Sequence, residues 1–147
     1  MLKITSPAFK NHSELPKKYT CYGENISPPL NISNSPENTK SFVVIMQNLS
    51  SPSGRWVNWL LWNVESQHTF IPENSKLEWS TIGLNSYKEY GYSGPCPSNE
   101  KHEFQIMIYA LSDVLFLDKE ASMDEVVYAM EKITLTQGSI TFYASAS

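Results

Sequence analysis

The stretch that decides the fold is residues 41–64, SFVVIMQNLSSPSGRWVNWLLWNV. It consists of two apolar runs joined by the turn-forming segment NLSSPSG at 48–54, and Arg55 is its one formal charge. Apolar residues occupy both odd and even positions, whereas a strand with one face in water would alternate. We therefore predict two strands, at 41–48 and 56–64, that are covered on both faces at the centre of a sheet. Polar residues at the inner ends of buried strands are typical of one wall of a pocket.

Further strands are predicted before and after this pair. Residues 2–5 form a short N-terminal strand, and residues 77–82 form another. Residues 104–111, FQIMIYAL, are β-branched, aromatic or apolar on both faces apart from one glutamine, which suits a sheet. A final strand covers residues 139–143. The pattern predicts a mainly β domain without alternating βαβ units.

One helix is predicted, at residues 123–133. Ser122 and Glu125 have the spacing of a capping box, which satisfies the free backbone donors at a helix start. Five apolar residues fall on one face at helical spacing: Met123, Val126, Val127, Met130 and Ile133. The segment 83–99, in contrast, contains three glycines and two prolines and is predicted to be a long loop. A loop of this length inside a compact domain is usually functional.

Composition bounds the number of domains, the partners and the location. At 147 residues the chain is predicted to be one domain, 1–147, large enough to bury a core. Its net charge of −4 argues against a nucleic-acid partner, because binding to phosphates needs clustered Lys and Arg. No window reaches the roughly 18 apolar residues of a membrane span. Residues 1–20 contain no signal peptide, so a cytoplasmic location is expected.

Candidate nucleophiles and metal ligands are few. Cys21 and Cys96 match no zinc spacing, and we expect two reduced thiols, with a single bridge between their Pro- and Gly-rich loops as the alternative. His12 and His68 lie in polar surroundings, whereas His102 directly precedes a predicted strand. The chain has no nucleotide-binding, zinc-protease or esterase motif, so no cofactor and no metal are expected. A hydrolase that uses Cys96 and His102 is the enzymatic alternative.

Six segments share a further pattern: YTCYGENISPPL at 19–30, SFVVIMQNLSSP at 41–52, WLLWNV at 59–64, GYSGPCP at 91–97, HEFQIMIYAL at 102–111 and AME at 129–131. In this order they resemble the phosphatidylethanolamine-binding protein (PEBP) family, in its bacterial Raf-kinase-inhibitor-like branch. The match spans essentially the whole chain. The resemblance implies a PEBP-like fold, with a central antiparallel Greek-key sheet, a second smaller sheet and one or two flanking helices.

The resemblance also implies an anion pocket at one end of the sheet. It assigns that pocket to eight positions of this chain: Asn48, Ser50, Trp56, Asn58, Gly94, Pro95, His102 and Phe104. The family's two aspartates, one histidine and its tyrosine are replaced here by Asn48, Ser50, Asn58 and Phe104, and Glu103 replaces an arginine. An aspartate beside a histidine favours the cationic imidazole, and an asparagine does not. Asn and Ser still donate and accept hydrogen bonds, so a neutral polar ligand or a weakly bound anion fits them.

These observations predict a non-enzymatic domain with a degenerate anion pocket that binds a small polar or anionic ligand or a protein. There are two alternatives. One is the hydrolase, and the other is a protein-binding scaffold with a vestigial pocket and a binding loop at 83–99. Because bacterial relatives are often homodimers, a dimer is expected as well.

Overall fold

The computed structural model describes residues 1–76 and 78–146. Its strands are β1 (Lys3–Thr5), β2 (Ser13–Glu14), β3 (Leu30–Ser33), β4 (Ser41–Asn48), β5 (Trp56–Glu65), β6 (Phe70–Ile71), β7 (Thr81–Ile82), β8 (His102–Leu111) and β9 (Thr134–Ala144). A helix, α1 (Met123–Met130), precedes β9, and a single 3₁₀ turn lies at Lys17–Tyr19.

The strands form two sheets. The larger has the order β2-β9-β8-β4-β5-β7, and the smaller has the order β1-β3-β6. All pairs are antiparallel except β2 and β9, which are parallel. After the β4–β5 hairpin the chain passes through β6 and β7 before β8 returns to pair with the other side of β4, which is a Greek-key connection. The mainly β, two-sheet architecture with one helix confirms the predicted fold class.

The β4–β5 pair is covered on both faces, as its sequence predicts. On one face Val44, Met46 and Trp59 join a core that includes buried residues of the smaller sheet. On the other face Ile45 and Trp62 join a second core, which includes the buried residues of α1. The two layers explain why apolar residues stand at both odd and even positions, because side chains on opposite faces of the strands enter different cores.

Strand β8 is less covered than β4 and β5. Its side chains alternate between buried residues, such as Ile106 and Ile108, and half-buried ones, such as Met107 and Tyr109. The prediction of an apolar strand is confirmed. Among its half-buried residues, Tyr109 packs against the core that contains α1.

Element ends differ by one or two residues at β1, β5 and β8, and by more at three places. Ser122 and Glu125 form the predicted capping box, but α1 ends at Met130, three residues before the predicted end. Strand β9 begins at Thr134 and pairs with β8 along its length, so the prediction of a strand only at 139–143 is too short. In the predicted strand at 77–82, Leu77 lies outside the described residues, and only Thr81–Ile82 form β7. Pairing with a neighbouring strand decides the ends of β7 and β9, and local propensity does not.

The two cysteines are joined, which corrects the expectation of reduced thiols. Cys21 and Cys96 form a disulfide with their Cα atoms 5.3 Å apart. The backbone explains the proximity: the Cys21 N–H donates to the Pro95 carbonyl oxygen at 3.1 Å. At Gly94 an added Cβ would lie 2.3 Å from the Tyr19 carbonyl oxygen, so only glycine permits this approach of the two loops. Within residues 1–76 and 78–146, no helix is long and apolar enough to cross a membrane.

Candidate functional site

A cavity of about 200 Å³ opens where three strands of the larger sheet meet. The last residue of β4, Asn48, is paired with Trp56 at the start of β5 and with Phe104 near the start of β8. The loop after β4 and the segment before β8 complete the walls. The lining residues are Asn48, Ser51, Pro52, Trp56, Asn58, Tyr87, Cys96, Pro97, Ser98, His102 and Phe104.

Five of the eight residues assigned from the sequence line this cavity: Asn48, Trp56, Asn58, His102 and Phe104. The other three lie beside it. Ser50 is exposed in the β4–β5 loop and its hydroxyl oxygen accepts a hydrogen bond from the Glu103 N–H at 2.9 Å. Gly94 and Pro95 are buried in the contact between the two disulfide-linked loops. Three distant chain segments therefore line one cavity. The role of each residue in ligand binding stays a prediction.

The polar centre of the cavity is a pair formed by Asn48 and His102. Nδ2 of Asn48 lies 3.0 Å from Nδ1 of His102. Oδ1 of Asn48 accepts a hydrogen bond from the Ser50 N–H at 2.8 Å, which fixes the orientation of the amide. The amide must therefore donate to Nδ1, so this ring nitrogen carries no proton. This contact selects the tautomer of the imidazole with its N–H at Nε2.

Asn58 also lines the cavity and is 1% exposed. Its Nδ2 donates to the Ser93 carbonyl oxygen at 2.9 Å, and the Ser93 N–H returns a bond to the Asn58 carbonyl oxygen at 3.0 Å. Among the described residues, Oδ1 of Asn58 has no hydrogen-bond partner. A buried acceptor left unpaired in this way costs about 1–3 kcal/mol.

Aromatic rings supply the apolar walls. Trp56 and Tyr87 meet edge to face with ring centroids 5.0 Å apart. Phe104 is buried and stacks on Phe142 with a centroid distance of 5.9 Å. Tyr87 was not assigned from the sequence, which only placed it in the loop at 83–99. No local signal separates a tyrosine that lines a cavity from one that packs inside its own loop.

The 83–99 loop is held by side chains from several directions. The Gly94 N–H donates to Oδ1 of Asn25 at 2.7 Å, and Nδ2 of Asn85 donates to the Ser93 hydroxyl at 3.0 Å. The Tyr22 hydroxyl donates to the Pro97 carbonyl oxygen. With the disulfide, these bonds position the cavity wall at 96–98.

A charged cluster anchors the neighbouring 3₁₀ turn. Nζ of Lys18 lies 2.8 Å from Oε2 of Glu73, and the Tyr19 hydroxyl donates to Oε1 of the same carboxylate at 2.6 Å. The hydrogen bond from Lys18 lowers the pKa of Glu73 and raises the pKa of Lys18. Burial, followed by the bond to Glu73, raises the pKa of Tyr19 to about 12. Burial also raises the pKa of Tyr92, whose hydroxyl donates to the Tyr19 carbonyl oxygen at 2.7 Å.

In the part of the chain that the structure describes, no Lys, Arg, Asp or Glu lines the cavity. Within residues 1–76 and 78–146, no group of three or more His, Cys, Asp or Glu is placed to hold a metal ion. Cys96 and His102 both line the cavity, but the Cys96 sulfur is bonded to Cys21. The hydrolase alternative is wrong in this respect, because a disulfide sulfur carries no thiolate for nucleophilic attack.

Comparisons with known proteins agree on one family. The family model described as phosphatidylethanolamine-binding protein matches residues 5–145. A UPF0098 protein of Methanothermobacter thermautotrophicus is 35% identical over 144 residues, which are 95% of each chain. A UPF0098 protein of Chlamydia trachomatis is 33% identical over 135 residues, which are 88% of this chain and 89% of that protein.

Solved structures give the same result. The crystal structure of a PEBP homolog from Chlamydia trachomatis superimposes with a TM-score of 0.93 at 31% identity, covering 97% of this chain and 95% of the other. The structure of Escherichia coli YbcL, a member of the mammalian PEBP family, superimposes with a TM-score of 0.91 at 25% identity, covering 99% of each. From the family model, the relatives and the shared fold, we conclude that this chain belongs to the phosphatidylethanolamine-binding protein family.

Proposed function

We propose that the chain is a non-enzymatic domain that binds a small neutral polar ligand in the cavity between Asn48, Asn58 and His102, and that its affinity for phosphate groups is reduced. The observation that carries this proposal is the lining itself. An imidazole, two asparagine amides and aromatic rings line the cavity, and among the described residues no lysine or arginine does.

The chemistry of the lining disfavours a phosphate dianion. Phosphate sites in proteins use Arg or Lys side chains, a helix N-terminus or a bound cation to balance the charge. Here the Asn48 amide donates to Nδ1 of His102, and Glu103 follows His102 in the sequence where the family resemblance implies an arginine. The anion therefore loses hydration without gaining a countercharge.

Titration of the isotope-labelled protein with inorganic phosphate and with phosphoethanolamine tests the proposal by NMR. We expect shifts at Asn48, Asn58 and His102 only at millimolar concentrations. Micromolar binding centred on His102 would show that phosphate affinity is retained. Hydrolysis of generic ester substrates by the oxidised protein, lost on His102→Ala, would overturn the non-enzymatic assignment.

The scaffold alternative predicts a collapsed pocket, and a cavity of about 200 Å³ is an observation against it. The exposure of two aromatic side chains supports a protein partner at the 83–99 loop: Tyr87 is 42% exposed and Tyr90 is 48% exposed. A homodimer is likewise proposed only by analogy with relatives. Light scattering after size-exclusion chromatography measures the mass, and a single species near 16.7 kDa would rule the dimer out.

The cytoplasmic location stays a prediction, and the Cys21–Cys96 disulfide argues against it. Disulfides persist in oxidising compartments and are rare where glutathione keeps thiols reduced. Fractionation of the source cells, with alkylation of free thiols before lysis, measures both location and redox state.

A further inference from the structure

The larger sheet ends at an edge strand, β7, that pairs on one side only. It is the last strand in the order of the sheet, and Ile82 stands opposite Leu61 of β5. The next bond along the pair runs from the Gly83 N–H to the Leu60 carbonyl oxygen at 2.8 Å. Because hydrogen-bonded and non-hydrogen-bonded pairs alternate along antiparallel strands, Leu61 and Ile82 form a non-hydrogen-bonded pair. The N–H and C=O of Ile82 therefore point away from β5, and no other backbone group in the described part of the chain pairs with them.

This side of β7 borders a second cavity, which we call the edge groove. The groove has a volume of about 530 Å³, which is within the usual range for ligand pockets. Besides β7, its lining includes Lys76, Glu78, Tyr90 and Lys119. Among the residues described, it shares no lining residue with the cavity at His102. The groove is therefore a separate candidate site.

The free backbone groups of β7 match an extended polypeptide. An added strand can donate one N–H to the C=O of Ile82 and accept from the N–H of the same residue. Every residue of a polypeptide except proline carries both groups. Because β7 has only two residues, such pairing is short, and side-chain contacts in the groove must supply the rest of the affinity.

The charges of the groove favour acidic side chains. Its lining carries two cations, Lys76 and Lys119, and one anion, Glu78, although the chain as a whole has a net charge of −4. Nζ of Lys119 lies 5.1 Å from the centroid of the Tyr90 ring, which positions the ammonium group at the groove. Tyr90 is 48% exposed, so its ring also offers an apolar surface to a neighbouring side chain of the peptide.

We propose that the edge groove binds an extended acidic segment of a partner protein by strand addition to β7. The backbone of the segment pairs with Ile82, and its carboxylates lie near Lys76 and Lys119. This interaction goes beyond the proposed binding of a small ligand at His102, which does not depend on it.

Two synthetic peptides test the preference for acidic side chains. The first is acetyl-Glu-Val-Glu-Val-Glu-amide, and in the second lysine replaces each glutamate. We expect NMR titration with the acidic peptide to shift the backbone amides of Thr81, Ile82 and Tyr90. The basic peptide should bind at least about fivefold more weakly, the factor expected for surface ion pairs. Equal binding of the two peptides, or no shift at β7, would overturn the proposal.

Two N-methylated forms of the acidic peptide test the strand pairing. Alternate amides of an added strand point to opposite sides, so only one set of them can reach Ile82. N-methylation of the valines blocks one set, and N-methylation of the glutamates blocks the other. We expect binding to weaken at least about fivefold for one form, because a backbone hydrogen bond is lost, and to change little for the other. Equal effects of the two forms would contradict strand addition.

A charge reversal on the protein completes the test. Lys119→Glu should weaken binding of the acidic peptide and strengthen binding of the basic one. Lys3→Glu makes the same change at an exposed position of β1 outside the groove and should leave both affinities unchanged. A dilution series without peptide examines the other possible occupant. Shifts of Thr81 and Ile82 that depend on protein concentration would show that a second copy of the chain occupies the edge, and would overturn the proposal.

Discussion

The amide of Asn48, the last residue of β4, donates a hydrogen bond to Nδ1 of His102, the first residue of β8, across 3.0 Å. The two residues are 54 positions apart in the sequence. Their contact decides which imidazole nitrogen accepts a hydrogen bond and which one carries the proton. The first two predictions concern this contact.

The imidazole of His102 should exist as the tautomer with its proton at Nε2. The Ser50 N–H holds the Asn48 amide with Nδ2 towards the ring, and a proton at Nδ1 would place two donors face to face. Long-range ¹H–¹⁵N correlation spectra of the side chain distinguish the tautomers directly. A protonated Nδ1 at neutral pH would contradict this prediction and the orientation of the Asn48 amide.

Replacing Asn48 by Asp should reverse the polarity of the contact. A carboxylate accepts from an N–H, so the imidazole of the variant should carry a proton at Nδ1. The Ser50 N–H can still donate to the new carboxylate, so the loop is expected to keep its turn. Imidazole ¹⁵N chemical shifts measure the fraction of His102 rings that carry a proton at Nδ1. Asn31→Asp adds the same charge on β3, outside the cavity lining, and should leave these shifts unchanged.

The disulfide should be a major contributor to stability. It joins residues 75 positions apart, and closing a loop of this length lowers the entropy of the unfolded chain. The expected loss in the free energy of unfolding is about 4 kcal/mol for the Cys21→Ala, Cys96→Ala double variant. Chemical denaturation of the oxidised protein, the reduced protein and the variant measures it.

Loss of the disulfide should also alter the cavity, because Cys96 lines it and Pro97 and Ser98 follow directly. Amide shifts on reduction should concentrate at the 96–98 wall and at His102, and α1 on the opposite core should change little. A loss below about 1 kcal/mol, with no shift at the cavity, would contradict the role given to the bridge.

Tyr19 should make stability fall at high pH. Its pKa is raised from 10.0 to about 12 by burial and by its bond to Glu73, so folding favours the protonated phenol. This contribution is complete below pH 10 and is lost as the pH rises towards about 12, with a size of order 2 kcal/mol. Urea unfolding across this range measures it.

Tyr19→Phe should flatten that part of the pH profile and also lower stability at neutral pH by about 1–2 kcal/mol, since the hydrogen bond to the carboxylate is lost. Tyr128→Phe is the control, because the Tyr128 side chain is 80% exposed and should leave the profile unchanged. An unchanged profile for Tyr19→Phe would show that another group titrates in this range.

Local pattern was sufficient for the main elements of the fold. The two-faced apolar runs of β4 and β5 predict strands between two cores, and the capping box at Ser122 predicts the start of α1. Each of these features depends on side chains within a few residues of one another. The bounds of β9 could not be predicted in this way, because its N-terminal half is a strand only through its pairing with β8.

The sequence by itself determined the two buried strands, the turn between them and the family to which the chain belongs. Only the tertiary structure decided the Cys21–Cys96 bridge, the tautomer of His102 and the unpaired oxygen of Asn58. The physical reason is the separation of the interacting residues along the sequence. Burial and turns follow from the chemistry of residues that are close together in the sequence. Hydrogen-bond partners and sulfur pairs are set by strand register and loop packing between segments more than 30 residues apart.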